Sequence, residues 1–285
     1  MQPFRHALIR HQVARIAGTL GVRSTLRRLY RSCFAPGGGG HTVSVAGETA
    51  RFYVYSKSGI EALNSLGGER PMLEFLMRRL RRGDCVYDIG AGTGLYTVFL
   101  AKAVGETGEV VAFEPEDHTY ERLGEHLDLN QLTNVRAFQV AMGDVEGRAC
   151  LRLGEVAGAA RIIDSADTSK GGPVEWIRVI EGDKFVKAGK LPMPRALKID
   201  VEGYEFAVIR GLSRTLAQPQ CELVCCEVHP HLLPKSVTPE KVLGCLRSLG
   251  FRRIEIHPRT RDFHAWAFKD APGEEPRQSP LGDGA

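Results

Sequence analysis

A glycine-rich stretch in the first half of the chain limits the possible folds more than any other feature. The stretch, Val86-Tyr-Asp-Ile-Gly-Ala-Gly-Thr-Gly-Leu95, is a short apolar run followed by a turn and by the start of a helical pattern. A second apolar run ends in Phe113-Glu114-Pro115, about twenty residues beyond the last glycine. In open α/β sheets, such glycines let the backbone approach an adenosine, and the later carboxylate binds its ribose hydroxyls. The stretch therefore predicts a strand–turn–helix unit that binds an adenosine-containing ligand.

The spacing of the glycines indicates which adenosine ligand the turn accepts. Dinucleotide-binding turns follow G-x-G-x-x-G, and their third glycine lets the helix pack closely on the strand. Here Gly90, Gly92 and Gly94 alternate with other residues. Leu95 stands where the dinucleotide pattern has its last glycine, which argues against a nicotinamide-dependent oxidoreductase. Asp88 would repel a pyrophosphate, whereas it suits a ligand with an ammonium group and a sulfonium.

This turn resembles the first motif of S-adenosylmethionine-dependent methyltransferases of the Rossmann-like class. The resemblance implies that the glycines surround the methionine part of the cofactor and that Glu114 takes the ribose. Asp144, which ends the segment Ala141-Met-Gly-Asp144, could receive the adenine amino group or could simply form a turn. The predicted cofactor-binding residues are Asp88, Gly90, Ala91, Gly92, Gly94, Glu114 and Asp144.

Composition is compatible with a soluble cytoplasmic enzyme. The chain has 285 residues, of which 43% are hydrophobic and 25% charged, as in ordinary globular proteins. No apolar run approaches the roughly 18–20 residues that a membrane-spanning helix needs. The seven cysteines are scattered and form no C-x-x-C pair, so we expect reduced cysteines rather than a zinc site or a disulfide framework.

The N-terminal segment is basic. No acidic residue precedes Glu48, and residues 1–34 are compatible with one or two amphipathic helices. A helical extension that packs on the catalytic domain is the favoured interpretation; organelle targeting, contact with an anionic membrane surface and contact with a nucleic-acid backbone are the alternatives. Aromatic residues for base stacking are not interleaved, so no nucleic-acid partner is predicted. The arginines are Arg5, Arg10, Arg15, Arg23, Arg27, Arg28 and Arg31.

The domain organisation follows from where the composition changes. A Gly-rich linker is predicted over residues 35–41, a methyltransferase domain over 42–269 and a disordered tail over 270–285. The domain begins with a β-hairpin, strands 42–45 and 51–55, and a helix over 70–81. Residues 145–179 are less regular, with one extra strand over 147–153 and a loop over 154–173.

Alternating strands and helices predict the fold class, a doubly wound α/β domain with a mostly parallel sheet of seven strands. An antiparallel pair of C-terminal strands, 251–257 and 263–269, is expected to close this sheet after a helix over 239–250 that Thr238 caps. The other predicted strands span 85–89, 110–114, 135–140, 196–199 and 222–228. The other predicted helices span 95–104, 117–130 and 203–216.

A second cluster of polar residues lies at the ends of the fourth and fifth of these strands. In Leu197-Lys-Ile-Asp-Val-Glu-Gly-Tyr-Glu205, Asp200 is placed at the carboxyl end of a strand, where open α/β sheets bind their ligands. Glu205 opens the next helix, a position that the helix dipole favours, so we interpret it as structural. Glu227 and His229 end the following strand two residues apart and therefore point to one face.

Taken together, these blocks resemble the FkbM family of methyltransferases, from about residue 42 to residue 269. The most specific part is Lys198-Ile-Asp-Val-Glu-Gly203, and one departure is Gly92, where the family often has asparagine. The resemblance implies methyl transfer to a hydroxyl on substrates such as sugars, glycolipids and polyketide macrocycles. The partner that the resemblance implies is a small molecule or a glycan that carries this hydroxyl, and the oligomeric state is not predicted.

The chemistry of hydroxyl methylation assigns roles to the second cluster. An alcohol is nearly un-ionised at neutral pH, so a base that accepts its proton accelerates the reaction. We assign His229 as this base and Asp200 as the group that orients the hydroxyl or shares its proton. Alternatively, Asp200 and Glu227 could bind a divalent cation, but two carboxylates are too few, and no metal site is predicted. A non-catalytic descendant would have lost part of the cofactor site, which is complete here.

Overall fold

The computed structural model describes residues 40–54, 57–154, 160–163 and 172–269. The predicted N-terminal extension, most of the linker and the predicted tail lie outside the described residues. The chain divides into two compact units after Gly40, and the helices and strands of the described residues belong to the second unit.

The elements alternate as the sequence predicts over most of the described chain. In chain order the strands are β1 (His41–Val45), β2 (Glu48–Phe52), β3 (Cys85–Ile89), β4 (Glu109–Phe113), β5 (Val135–Phe138), β6 (Ala141–Gly143), β7 (Gly147–Arg152), β8 (Arg161–Ile163), β9 (Val174–Glu181), β10 (Ala196–Ile199), β11 (Leu223–Val228), β12 (Arg253–Pro258) and β13 (Phe263–Phe268). The helices are α1 (Lys57–Ser65), α2 (Arg70–Arg79), α3 (Leu95–Val104), α4 (Asp117–Leu129), α5 (Gly182–Ala188), α6 (Glu205–Gly211), α7 (Ser213–Ala217) and α8 (Pro239–Ser248), with a short 3₁₀ turn, Leu66–Gly68, before α2.

The main sheet has seven strands in the order β12-β13-β11-β10-β3-β4-β5. The strands from β11 to β5 run parallel, and β13 pairs antiparallel with both β11 and β12. Both features confirm the predicted fold class. The order of connection reverses between β3 and β10, and open α/β sheets bind ligands beyond the carboxyl ends of the strands at such a point.

Hydrophobic side chains cover both faces of this sheet. The five residues of β3 are all buried, as expected for a central parallel strand. One core joins the sheet to α6, α7 and α8, and the other joins it to α2, α3 and the N-terminal hairpin. With its faces filled, the sheet leaves its carboxyl edge available for a site. No helix among the described residues is both long enough and apolar enough to cross a bilayer.

A second sheet has the order β6-β9-β7-β8, and only its strand β7 was predicted, as the extra strand over 147–153. The predicted strand over 135–140 ends at Phe138, and residues 141–143 pair instead with β9. Residues 174–181 form the longest strand of this sheet, where the sequence predicted only an irregular segment. Its partner strands, β6 and β7, lie some 30 residues earlier in the sequence, so local periodicity does not reveal the pairing.

Two helices also differ from the prediction. Residues 57–65 form α1, which was not predicted. The helix predicted over 203–216 is divided into α6 and α7 at Leu212. Gly211 lies so close to β6 that a Cβ there would be 1.8 Å from the carbonyl oxygen of Gly143. The close approach of helix and strand therefore coincides with the break in the helix.

Candidate active site

The glycine turn between β3 and α3 is held tightly by neighbouring backbone. Gly90 has a φ of +78°, and a Cβ at this position would lie 1.7 Å from the carbonyl oxygen of Asp200. Gly94 has a φ of +94°, and its Cβ would lie 2.6 Å from a methyl carbon of Leu123. Gly92, with a φ of +56°, faces open space. Packing thus requires glycine at positions 90 and 94, whereas position 92 has room for a side chain.

Main-chain bonds fix the turn against the adjacent strand. The amides of Gly90 and Ala91 both donate to the carbonyl oxygen of Phe113, at 2.9 and 3.0 Å. The Ala91 methyl group is buried with Ala112 and Leu123. Ala91 therefore anchors the turn through its backbone and a small side chain; contact of this residue with the cofactor stays a prediction.

Glu114 follows β4 and connects two loops. Its two carboxylate oxygens accept hydrogen bonds from the amides of Gly92 (2.8 Å) and Glu116 (2.9 Å). Burial raises its pKa to about 7, although both amide donors favour the charged form. Glu114 also lines a cavity at the carboxyl edge of the sheet, which leaves its remaining lone pairs free to accept hydrogen bonds; ribose binding by this residue stays a prediction.

Asp88 lies beneath the turn rather than at its surface. Its side chain is fully buried, and one oxygen accepts a 2.5 Å hydrogen bond from the Thr97 hydroxyl. The other oxygen lies 3.5 Å from Nζ of Lys198, the residue directly opposite on β10. Burial raises the pKa of Asp88, and Lys198 and Thr97 oppose that rise. Asp88 therefore stabilises the turn from the protein interior. Any effect of its charge on the ammonium group of the cofactor would be a long-range electrostatic one.

Lys198 connects the cofactor side of the site to the acceptor side. Its ammonium donates to the carbonyl oxygen of Gly90 at 2.7 Å and lies 3.4 Å from a carboxylate oxygen of Asp200. Burial alone lowers the pKa of a lysine, but Asp200, Asp88 and Glu69 outweigh it and raise the pKa of Lys198. The buried ammonium therefore stays charged and orders both halves of the site.

Asp144 follows β6 at the edge of the second sheet. Its carboxylate lies 3.4 Å from Nε of Arg210 on α6. The described residues that line the cavity include Ala141 and Met142 of the same segment but not Asp144. Contact of Asp144 with adenine stays a prediction.

The residues of the second cluster meet at the carboxyl ends of β10 and β11. Nδ1 of His229 is hydrogen-bonded at 2.7 Å to a carboxylate oxygen of Glu205, which is fully buried. The other ring nitrogen, Nε2, lies 3.7 Å from Glu202 and 3.9 Å from Asp200. The structure therefore brings together His229 and Asp200, the two residues predicted for catalysis. Glu202 and Glu205 also lie next to the His229 ring.

The three carboxylates change the protonation state of His229. Burial lowers the pKa of an imidazole, but the hydrogen bond and charge of Glu205, with Asp200 and Glu202, outweigh burial and raise the His229 pKa to about 9. An imidazolium has no free lone pair with which to accept a proton. The raised pKa disfavours the neutral ring that a base requires, and the role of His229 as the base stays a prediction.

The same geometry bears on the alternative of a divalent cation. Asp200, Glu227 and His229 each offer an oxygen or nitrogen within 4.8 Å of the others. Two of these groups already have other partners: Asp200 faces the ammonium of Lys198 at 3.4 Å, and Nδ1 of His229 is bonded to Glu205 at 2.7 Å. Glu227 is instead paired with Arg259 at 3.2 Å and with His264 at 3.4 Å. This arrangement favours a hydrogen-bonded cluster over metal ligation.

A cavity at the carboxyl edge of the sheet joins the two halves of the site. Its volume is about 550 Å³, including the part open to solvent. Gly90 and Glu114 line one side, and Asp200 and Glu202 line the other. Apolar side chains suit the adenine ring, and a single carboxylate suits the ribose diol. These apolar lining residues include Ile89, Phe113, Met142, Leu151 and Ile162.

The charge on His229 makes stability depend on pH. Because its folded-state pKa lies above the ordinary value of 6.5, the stabilisation is complete below pH 6.5 and is lost as the pH rises through about 9. We expect the free energy of unfolding to fall by about 2 kcal/mol between about pH 7 and pH 9. Urea unfolding at a series of pH values measures this slope. His229→Gln should flatten it, and an unchanged slope in the variant would contradict the proposed charge state.

Sequence reasoning missed the roles of Lys198 and Glu202, although both lie in the most specific motif of the chain. A lysine within an otherwise apolar strand, flanked by carboxylates on two strands, was a usable signal. For Glu202 the sequence offered its place between Asp200 and Glu205, a crowding of three carboxylates that indicates a site candidate but assigns Glu202 no role. Glu69 is paired with Arg259, which lies 190 residues away in the sequence, and accepts a hydrogen bond from the Tyr96 hydroxyl, 27 residues away. No local pattern reveals contacts at such separations.

Comparisons with known proteins identify the family. The model of the methyltransferase FkbM domain matches residues 88–253, which is more than half of the chain. The hexuronic acid methyltransferase AglP of Haloferax volcanii is 29% identical over 194 residues, covering 68% of this chain and 76% of that protein. The crystal structure of methyltransferase FkbM from Methylobacillus flagellatus aligns with a TM-score of 0.47 and 14% identity.

That alignment covers 75% of this chain and 56% of the other, so the chain spans little more than half of that protein. A SAM-dependent O-methyltransferase from Thermotoga maritima aligns with a TM-score of 0.43 and 16% identity over 84% of this chain and 80% of its own. The domain match covers both the glycine turn and the cluster around Asp200. The chain therefore belongs to the FkbM family of methyltransferases, which use S-adenosylmethionine.

Proposed function

We propose that this protein transfers the methyl group of S-adenosylmethionine to a hydroxyl oxygen of a sugar. The observation that carries the proposal is one cavity whose walls hold both Glu114 and the pair Asp200 and Glu202. The similar protein from Haloferax volcanii is named a hexuronic acid methyltransferase, which supports a sugar as the acceptor.

The charges of the site favour a hydroxyl over a carboxylate as the reacting group. Asp200 and Glu202 line the acceptor side, and the nearby cations Lys198 and His229 are already paired with carboxylates. A carboxylate acceptor would meet like charges at short range, which is unfavourable in a partly buried site. A hydroxyl instead donates its hydrogen to one of these oxygens.

Each residue of the site has a physical role in this reaction. The bound cofactor supplies a methyl group on a positively charged sulfur. Lys198 holds the Gly90 carbonyl and the Asp200 carboxylate in fixed relation, and Asp200 accepts the hydrogen bond that orients the sugar hydroxyl. His229, locked by Glu205, keeps the neighbouring carboxylates from repelling one another. Holding the reacting oxygen in line with the methyl group supplies several kcal/mol of the acceleration.

Methyl-labelled cofactor tests the reaction and the acceptor class. The protein would be incubated with neutral sugars, uronic acids and oligosaccharides of both kinds. We expect label in a product that survives mild alkali, because a methyl ether is stable there and a methyl ester is hydrolysed. Alkali-labile label would show transfer to a carboxylate, and label in no fraction would contradict the proposed function.

Asp200→Asn tests the orienting role. The amide keeps the shape but loses the charge, so we expect kcat to fall by about 10²-fold or more. Cofactor binding, measured by calorimetry, should change only a few-fold. Glu146→Gln is the control, because Glu146 is exposed and pairs with Arg178 on the second sheet. Wild-type turnover in Asp200→Asn would remove Asp200 from the mechanism.

We further propose that the protein works in the cytoplasm. The six cysteines within the described residues are all unpaired, and five of them are buried. Unpaired cysteines are typical of a reducing compartment. Fractionation of the source cells, with a disulfide-bonded protein as the marker of oxidising compartments, tests this location.

A further inference from the structure

Glu202 occupies a backbone conformation that its residue type does not favour. Its φ is +51° and that of Gly203 is +97°, and the amide of Tyr204 bonds the carbonyl oxygen of Val201 at 3.3 Å. A four-residue turn with both central residues at positive φ favours glycine, asparagine or aspartate at these positions. Glycine is present at the second position and a glutamate at the first. Strain of this kind persists at functional sites, where the side chain is needed.

The surrounding structure fixes the conformation of this turn. A Cβ at position 203 would lie 2.5 Å from the carbonyl oxygen of Leu232, so the turn is pressed against the segment that follows His229. The Gly203 amide also donates to Glu205 at 2.9 Å, the same carboxylate oxygen that bonds His229. Packing and hydrogen bonding therefore fix the direction in which the Glu202 side chain leaves the backbone.

That direction places the Glu202 carboxylate at the cavity wall. Glu202 lines the cavity together with Gly90, Glu114 and Asp200. One of its oxygens lies 3.7 Å from Nε2 of His229, and about a quarter of the side chain is exposed. The carboxylate is therefore within reach of a substrate in the cavity and lies beside the imidazole of His229.

The other groups at the acceptor side are engaged with charged partners. The pKa of His229 is raised to about 9, which favours its protonated form near neutral pH. Asp200 has one oxygen 3.4 Å from the buried ammonium of Lys198 and the other 3.9 Å from His229. For Glu202 the stabilising cation is His229, and three other carboxylates act against its charge: Asp200, Glu227 and Asp262.

These charges affect the basicity of Glu202 in a predictable direction. Burial raises its pKa most, Asp200, Glu227 and Asp262 raise it further, and His229 lowers it, with the result that the pKa is about 7. A base is most effective when its pKa lies near the working pH. The geometry thus supplies a carboxylate that is half-ionised near neutral pH and lies beside the cavity.

We propose that Glu202 accepts the proton of the acceptor hydroxyl, with the His229–Glu205 pair holding it in position. This inference rests on the proposed function. As the hydroxyl oxygen forms its bond to the methyl carbon, the carbon–sulfur bond breaks and sulfur keeps the electron pair. The O–H bond breaks, and its proton moves to a carboxylate oxygen of Glu202, which later releases it to solvent.

Two substitutions at position 202 separate catalysis from structure. Glu202→Gln keeps the size of the side chain, and we expect kcat to fall by about 10²-fold or more with cofactor binding unchanged within two-fold. Wild-type kcat should rise with pH around an apparent pKa near 7, and the variant should lack this rise. Glu202→Gly relieves the strained φ, so its melting temperature should rise by roughly 2–4 °C while turnover is lost.

Gln131→Gly is the matched control for strain relief. Gln131 is exposed, has a φ of +55° and lies at the end of α4. We expect a similar rise in melting temperature and unchanged turnover. A Glu202→Gln variant with turnover within five-fold of wild type and an unchanged pH profile would overturn the proposal.

A measurement without substrate distinguishes this inference from the proposed function. In NMR titrations of the cofactor-free protein, the ring signals of His229 should show an inflection near pH 7 as Glu202 ionises, and Glu202→Gln should lack it. If this inflection is absent from the wild type, the Glu202 proposal fails, whatever the acceptor is. If it is present but wild type methylates no sugar hydroxyl, the proposed function fails, and with it the proton transfer.

Discussion

Replacing Lys198 with methionine is expected to lower the free energy of unfolding by about 3–5 kcal/mol, because the change leaves a buried carboxylate unpaired. The Lys198 side chain is almost wholly buried, and its ammonium lies between Asp88 and Asp200. Asp88 would keep the Thr97 hydroxyl as its hydrogen-bond partner but would lose its counter-charge. The Gly90 carbonyl would lose its 2.7 Å donor, so the glycine turn should also loosen.

Urea unfolding measures this loss, and calorimetry with S-adenosylhomocysteine measures the expected weakening of cofactor binding. Lys184→Met is the matched control, because Lys184 is exposed and pairs with Glu181, and exposed ion pairs contribute little to stability. The double variant Asp88→Asn/Lys198→Met should recover part of the loss, because neither buried charge remains. Equal stabilities for Lys198→Met and Lys184→Met would contradict the role assigned to the buried ammonium.

Replacing Gly90 with alanine is expected to lower the free energy of unfolding by roughly 3 kcal/mol, the combined effect of a backbone clash and a positive φ. The added Cβ would lie 1.7 Å from the carbonyl oxygen of Asp200 and 2.8 Å from its carbonyl carbon. Neither atom can move freely, because the Asp200 amide bonds the Ile89 carbonyl at 3.0 Å. The strands β3 and β10 would have to separate at the site.

Gly92→Ala provides the comparison within the same turn. The φ of Gly92 is also positive, but a Cβ there meets nothing within 4 Å. Only the strain of the backbone conformation applies, so we expect a loss of about 1 kcal/mol. Both variants can be followed by urea unfolding and by cofactor binding. Similar losses for the two alanines would show that close approach to Asp200 does not matter.

Much of the fold was predictable because its signals are local. Residues 85–89 and 95–104 were predicted as a strand and a helix, and the structure has the same bounds. The cap at Thr238 was also predicted, and its hydroxyl accepts a hydrogen bond from the amide of Lys241. These elements depend on residue order over fewer than about twenty positions, where periodicity and capping rules apply.

The pairing of the second sheet was not predictable for the opposite reason. Its strand β7 was predicted, but β6 and β8 have only three residues each. Pairing between β6 and β9 joins residues such as Ala141 and Val179 that lie far apart in the sequence. A three-residue strand carries too little periodicity to be recognised, and only its partner across the sheet stabilises it.

The sequence by itself determined the order of glycines and carboxylates, and with it the predicted site of cofactor binding and the family resemblance. The tertiary structure alone decided what each charge does. It buried Asp88 against Lys198, bonded His229 to Glu205 at 2.7 Å and left Glu202 at the cavity wall. The physical reason is that the pKa of a group depends on burial and on charges within a few ångströms, and those neighbours come from strands and loops that the sequence does not place together.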